Sequence, residues 1–346
     1  MFNKNLTYYR LKKNLSKKEL ASLVSISPMA ITHYENGERK PDMNIIKALA
    51  KALDVRVADF LNNRNENLVF VHGEFRKGSR LNKNQQKYVR EAVEEYMSRF
   101  YMIVEILGGE VLPEAPLCHQ LSLSDNVEED AKNLRSYLHI ADVGPIGNLV
   151  ELLENNGILV YFLDAPSDAF SGMNGLVNER PYIVINRNMT PERIRSTIVH
   201  EMAHFIFAWP ENMDEKEAEQ RATAISGAFL FLEKDAKREL GLRRTAVTKD
   251  MEIICREYGI SMYLLVKRAE LCGIITAASG KEFYIHASKM GWKKHEPVRI
   301  EKEEPMLFSQ LVFRAVSEKE ITIQKGAELL KQSYNFVANQ CFAAEG

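Results

Sequence analysis

Apolar residues recur at helical spacing through the first sixty positions, in short runs cut by turn residues. Leu6, Tyr9 and Leu11 begin a stripe that stops near Asn14. Ser16 then stands as an N-cap with Glu19 three residues on, the two halves of a capping box, and Leu20, Ala21 and Val24 follow at helical spacing. Ser25, Ile26 and Ser27 break the pattern. Ser27 caps the next segment, Pro28 favours its first turn, and Asn36 with Gly37 stops it after residue 35. Pro41 and Asp42 open a further helix with Ile45, Ile46, Leu49 and Leu53 as its core face. Four or five short helical segments therefore fill residues 1–63.

Residues 62–83 read as a linker with one short strand or turn in the apolar piece LVFVHGEF. From 84 to 107 the period is helical again. Val89, Val93, Met97, Phe100, Val104 and Leu107 share one side, which predicts a long amphipathic helix: a spacer, a dimer seam, or a core helix against a neighbouring domain. Gly108, Gly109, Pro113 and Pro116 end it.

Beyond 126 the periods mix. Helices are expected over 126–138 and 145–155, the second stopped by Asn156 and Gly157, and the apolar runs 158–163 and 181–186 predict strands. Thr190 as N-cap and Pro191 open a helix carrying Ile194, Ile198, Met202, Phe205 and Ile206. The next helix follows an acidic stretch, 211–219, and has Ala222, Ile225, Ser226, Phe229 and Leu230 as its core face. Residues 248–275 form two helices, broken at Tyr258 and Gly259. Residues 281–305 read as a charged loop or hairpin, and 306–338 as helical, ending in a small helical hairpin. The expected fold class is helix-rich α+β. It comprises an all-α head (1–65), a linker and long connecting helix (66–120), an α+β domain with a small sheet (121–280) and a helical C-terminal region (281–346).

Length and charge refine this. The 346 residues suit two or three domains, and no apolar run approaches the roughly 20 residues that span a bilayer. The N-terminus lacks the apolar core of a secretory signal. Cys118, Cys255, Cys272 and Cys341 show no CxxC spacing and are expected to be buried free thiols in a reducing cytoplasm. Residues 1–65 carry 12 Lys/Arg against 6 Asp/Glu, while the whole chain has a net charge of −1. A basic head on an acidic body suits a polyanion at the head only.

Two short helices joined by a tight turn in a compact basic unit are the helix-turn-helix arrangement. The stretch LSKKELASLVSISPMAITHYENGERKP resembles the XRE-type, phage-repressor-like family over about 60 residues. The resemblance implies double-stranded operator DNA as partner, with the helix from Pro28 in the major groove. Met29, Thr32 and His33 then face base edges. Lys17, Arg39 and Lys40 contact phosphate, which sets register rather than sequence. Many relatives have Gln at the position of Lys17, so a backbone contact is expected there. A homodimer on two half-sites is expected by the same analogy.

The helix from Pro191 contains His200-Glu201-Met202-Ala203-His204, the pattern HExxH. Residues four apart share a helical face, so both imidazoles can point at one ion, and neutral imidazole nitrogen suits Zn²⁺ at about 2.0–2.1 Å. Glu201, beside the first ligand, is placed to take a proton from a water that the ion polarises. A third protein ligand must come from elsewhere. By helical face Glu219 points inward with Ala222; Glu215, one turn further out, is second, and Glu217 faces water. His286 and His295 are expected to be solvent-exposed rather than further ligands.

Residues from about 126 to 275 resemble the ImmA/IrrE family of zincin-like metallopeptidases. The stretches concerned are VEEDAKNLRSYLHI, GPIGNLVELLENNGILVYFL, IRSTIVHEMAHFIF and AEQRATAISGAFLFLEKD. The resemblance implies a zincin-like domain with zinc ligands at His200, His204 and Glu219 and a general base at Glu201. It also implies that strand 181–186 is the sheet edge over the cleft, where a substrate peptide adds as a strand. Two positions depart from the family pattern. Phe231-Leu232-Glu233 stands where Leu-Pro or Met-Pro is common, and Thr223 where Asn or His is common, which weakens the expected orientation of the ligands. No oxyanion stabiliser is assignable.

Two functions fit these features. One is a DNA-binding transcriptional regulator carrying a zinc metalloendopeptidase that cleaves a partner protein such as a repressor. The other is a non-proteolytic regulator or antitoxin of a toxin–antitoxin or mobile-element system, its zincin domain a sensor or partner-binding module for a toxin. Glu201 matters in the first and not in the second.

Overall fold

The computed structural model describes residues 1–73, 75, 80–165, 167–292 and 296–342. The head consists of α1 (Phe2–Lys12), α2 (Lys17–Leu23), α3 (Pro28–Asn36), α4 (Met43–Leu53) and α5 (Val57–Leu61). Its boundaries follow the local chemistry of the chain. Ser16 Oγ accepts from Glu19 N–H at 3.1 Å and Glu19 accepts from Ser16 N–H at 2.7 Å, so the capping box forms in full. Ser27 Oγ accepts from Ala30 N–H, and Asp42 accepts from Asn44 and Ile45 N–H. α3 stops at Gly37, whose φ of +76° favours glycine. Inside the head Arg10 and Glu35 are both buried and paired side on, with Nη2 to Oε2 at 3.0 Å. Each charge needs the other there, because an unpaired buried charge is costly.

The connector holds β1 (Phe70–His72) and the long helix α6 (Lys83–Ile106). There follow β2 (Leu121–Ser122), α7 (Val127–Tyr137), α8 (Leu149–Asn155), β3 (Leu159–Leu163), β4 (Gly172–Val177), β5 (Arg180–Asn186), α9 (Pro191–Ile206), β6 (Phe207–Ala208) and α10 (Glu215–Leu230). The rest is helical: α11 (Glu233–Leu240), α12 (Met251–Tyr258), α13 (Met262–Leu271), α14 (Ala277–Lys289), α15 (Leu307–Ser317), α16 (Ile323–Leu330) and α17 (Tyr334–Cys341).

The main sheet has the order β1-β4-β5-β3. β3 and β5 are parallel; β5 with β4 and β4 with β1 are antiparallel. Its side chains alternate between two cores. Val160, Phe162, Ile183 and Ile185 pack with α8, α9 and α10, whereas Leu159, Leu163, Tyr182 and Val184 pack on the other face with α6 and α15. The second core runs without a break through α6 into the head, where Leu6, Ile31 and Leu49 belong to it. The apolar stripe of α6 is thus spent inside the chain: Val89, Val93, Met97 and Ile103 are fully buried, and α6 is a core helix rather than a spacer or a dimer seam. α16 closes this layer from above, with Lys331 Nζ 2.8 Å from Glu95 Oε1 and 5.0 Å above the Tyr8 ring.

Several expectations are corrected. Strand 181–186 is not a sheet edge: β5 is paired on both sides, and its continuous apolar run is the mark of a strand buried on both faces. The strand next to α9 on that side is β4, which the sequence pattern did not show and which is itself covered by β1 along Gly175–Val177. Its two glycines and Asn174 give a weak strand pattern, although Asn178 (φ +48°) and Glu179 (φ +65°) form a two-residue hairpin turn into β5. The helix expected from 145 begins at Leu149, because Asn148 caps it, accepting from Glu151 N–H. Residues 281–305 are not all loop. α14 covers 277–289, capped by Thr276, with Phe283 and Ala287 one turn apart and buried beneath a charged surface. The last stretch holds three helices, α15 followed by α16 and α17, which pack on one another as the expected small helical hairpin and run to Cys341. All four cysteines are free, but only Cys255 is buried; Cys118, Cys272 and Cys341 are half-buried.

Glu154 ties α8 to the last region, accepting from Met306 and Leu307 N–H at 3.0 and 3.1 Å at the start of α15. Burial outweighs these bonds and pushes its carboxyl up to about 7. The folded chain therefore holds a proton there that the unfolded chain has released, so stability falls as pH rises from about 4.5 to 7. Glu154→Gln, which keeps an acceptor and has no charge, should flatten the decline in unfolding free energy over that window by at most about 3 kcal/mol. Glu296, which burial likewise raises to about 7, keeps its own share. Denaturant melts at pH 4.5 and 7.5 measure the difference, and equal slopes for the two proteins would contradict this assignment.

Candidate metal centre and nucleic-acid interface

α9 is held between the sheet and α10. Ile198, Met202 and Ile206 are fully buried in that sandwich, which turns the face carrying His200 and His204 toward α10. There the three side chains chosen from the sequence come together. His200 Nε2 and His204 Nε2 are 3.2 Å apart, His200 Nε2 is 3.3 Å from Glu219 Oε2, and His204 Nε2 is 3.4 Å from Glu219 Oε1. Tetrahedral ligands held at about 2.0–2.1 Å from one ion lie about 3.3 Å from each other, so the triangle has the size of a zinc coordination face. Two imidazole nitrogens and a carboxylate also form the donor set such an ion takes, and three electron-rich atoms in contact call for a cation among them. Among the described residues this is the one group of three or more His, Cys, Asp or Glu side chains close enough to hold a metal. Glu211, Glu215 and Glu217 are exposed, which leaves Glu219 as the inward acid of its helix.

The surroundings orient the donors. Thr223 Oγ1 donates to Glu219 O at 2.8 Å, and its lone pair faces His200 Nδ1 at 3.3 Å. A proton on Nδ1 leaves the Nε2 lone pair pointing at the triangle. Thr223, standing where the family pattern commonly has Asn or His, is thus within hydrogen-bond reach of His200. Glu201, buried beside His200, accepts from Asn174 Nδ2 at 2.9 Å. Asn174 comes from β4 and went unnoticed in the sequence. The hairpin turn at Asn178 and Glu179 was the signal that could have found its strand. β4 approaches α9 closely at Gly172, where a Cβ would lie 2.9 Å from Thr197 Cγ2 and 3.2 Å from Glu201 Cγ. The triangle and Glu201 open into a cleft of about 1840 Å³, lined also by Gly73, Phe75, Arg193 and Tyr263.

In the head the predicted residues divide. Met29 is exposed on α3, and Arg39 and Lys40 are exposed just beyond it, all open to a duplex. Lys17 turns toward α3 instead, donating to Thr32 Oγ1 at 3.3 Å and lying 3.5 Å from Glu35 Oε2. Thr32 Oγ1 also donates to Pro28 O at 3.1 Å, and His33 Nδ1 is engaged by the Glu38 carboxylate. His286 is exposed on α14, and His295 lies outside the described residues.

The metal centre makes a direct prediction. Chain equilibrated with zinc and then dialysed should retain about one zinc per molecule by elemental analysis. His204→Ala and Glu219→Ala should each lose it, whereas Asn174→Ala, which leaves the triangle whole, should keep it. Full retention in both ligand variants would place the metal elsewhere.

No helix among the described residues is long and apolar enough to cross a membrane. No curated protein and no solved structure matches the chain. Two family models do. One, described as Helix-turn-helix, matches residues 6–60, and the other, described as IrrE N-terminal-like domain, matches residues 153–270. The first belongs to DNA-binding regulation and the second to zincin-like metallopeptidases. The helix-rich head and the α+β unit around α9 coincide with these two matches, and the chain is a fusion of an XRE-type helix-turn-helix domain with an IrrE N-terminal-like domain.

Proposed function

We propose that the chain is a DNA-binding transcriptional regulator whose IrrE-like domain is a zinc-dependent endopeptidase acting on a partner protein, such as a repressor, in the cytoplasm. The observation that carries this reading is the triangle of His200, His204 and Glu219 with Glu201 beside it, held by Asn174. His200, His204 and Glu219 would hold the zinc. When bound, the ion supplies Lewis acidity toward water and a peptide carbonyl. Glu201 takes the proton of the attacking water on a carboxylate oxygen and later gives it to the leaving amine. Asn174, bonded to Glu201 Oε2, fixes which oxygen faces the cleft, and Thr223 fixes the tautomer of His200.

In the head, Arg39 and Lys40 bind phosphate while Met29, Thr32 and His33 face bases. Binding as a homodimer on two half-sites follows the usual geometry of such heads. Two substitutions separate the two activities. Glu201→Gln should keep zinc and DNA binding while abolishing cleavage. Terminal-peptide mass spectrometry of cells making either protein should show new protein termini with the wild type and none with Glu201→Gln. Identical termini in both would remove the peptidase and leave the zincin domain as a sensor or toxin-binding module. Arg39→Ala should keep the cleavage chemistry and weaken binding to random duplex DNA, lowering the slope of log K against log salt by about 1.

A further inference from the structure

The β4 edge that flanks the metal centre is already taken by the chain itself. β1 runs antiparallel along it, with Phe70 opposite Val177, Val71 opposite Leu176 and His72 opposite Gly175. The ladder continues one bond further, from Gly73 N–H to Asn174 O at 2.9 Å. At its other end Asn178 N–H donates to Val69 O, and Val69 N–H donates to Asn178 Oδ1, each at 2.9 Å. The Gly73 bond matters because Asn174 is the residue that holds Glu201. β1 therefore lies where a peptide adding to this sheet would lie, and it ends level with the proposed base.

Three features make this occupancy selective. His72 fills a polar slot, with Nδ1 2.6 Å from Tyr182 Oη and Nε2 3.4 Å from Glu94 Oε1. Burial holds the Tyr182 phenol well above its ordinary range, so the hydroxyl stays protonated and is hydrogen-bonded with Nδ1. Gly175 leaves the room this needs, since a Cβ there would meet Tyr182 Oη at 2.4 Å. Phe70 stacks on the His72 ring at 5.4 Å on the same side of the strand. Gly73 is required by contact, because a Cβ would lie 2.5 Å from Asn174 O, a backbone atom. The slot thus reads aromatic, any residue, histidine, glycine.

Val69 and Val71 are 68% and 60% exposed on its outer side, so that face of β1 is not packed into the fold. We propose that β1 is a built-in pseudosubstrate: it covers the strand-docking edge of the cleft, and a partner protein engages by replacing it with an extended segment of the same pattern, aromatic-x-His-Gly. The inference rests on the cleft being a peptide site, and it does not require that the site turn over.

The test uses the full chain in the Glu201→Gln background, so that no peptide is cut and the outcome is independent of catalysis. The register places the Val71 N–H in the ladder opposite Leu176, and Val71→Pro removes that donor. The probe is a fluorescent peptide of residues 66–73, ENLVFVHG. It should bind the zinc-loaded Val71→Pro chain at least tenfold more tightly than the chain with β1 intact, and the same peptide with alanine for its glycine should lose at least tenfold. Equal binding to both chains, or no loss on the glycine change, would overturn the proposal. Hydrogen exchange on the unaltered chain covers the case in which Val71→Pro fails to fold. Amides of Val71 and Gly73 should exchange at least a hundredfold faster than those of β5. Equal protection would make β1 a fixed strand of the sheet and refute its displacement. Loss of zinc or of Glu201-dependent cleavage would bear on the peptidase reading alone.

Discussion

The burial of α9 between the sheet and α10 is the constraint on which the site depends. A helix with Ile198, Met202 and Ile206 at no exposure cannot rotate about its axis without moving apolar surface into water. That fixed rotation aims two imidazoles one turn apart at the same point, and it places Glu219 of α10 within 3.4 Å of both. The polar centre adds little to the cohesion of this sandwich; the apolar core around it confers the precision. Gly172 belongs to the same constraint, since it lets β4 come close enough for Asn174 to reach Glu201.

The sheet then links this centre to the head. Its two faces belong to two cores, and the one facing away from the metal centre is continuous with the helix-turn-helix. α6 carries that continuity, with Tyr8 of the head stacked on Tyr88 at 6.2 Å and Tyr96 stacked on Tyr161 of β3 at 4.0 Å. Glu95 on the same helix is held well below the usual carboxylate range, at about 2, against the cost of its burial, by Arg99 and Lys331. A connector of this kind transmits strain rather than absorbing it. The strand that lies along β4 is the piece of chain between the head and α6.

Much of this was legible in the sequence for a local reason. Caps, turn residues and helical periodicity act over a few residues, and the capping box of Ser16 and Glu19, the Ser27 cap and the stop at Gly37 all form as read. HExxH needs only helical geometry to place its imidazoles together. Glu219 could be chosen over Glu215 because a helix face is a local property. The weak points were also local in origin: β4 has little strand propensity, and α14 hides its three buried residues, Gly280, Phe283 and Ala287, in a charged surface.

By itself, then, the sequence determined the helix-turn-helix head, the pairing of His200 with His204 on one helix face and the division into helical and mixed segments, because each rests on contacts within a few turns of chain. Only the tertiary structure decided that β5 is interior, that β4 lies beside it and is covered by β1, that α6 is a core helix and that Asn174 holds Glu201. Those facts depend on pairings between separate elements, 27 positions apart for Asn174 with Glu201 and about a hundred for Val71 with Leu176. Strand order and register arise from how whole layers bury their apolar faces, and no window of a few residues carries that information.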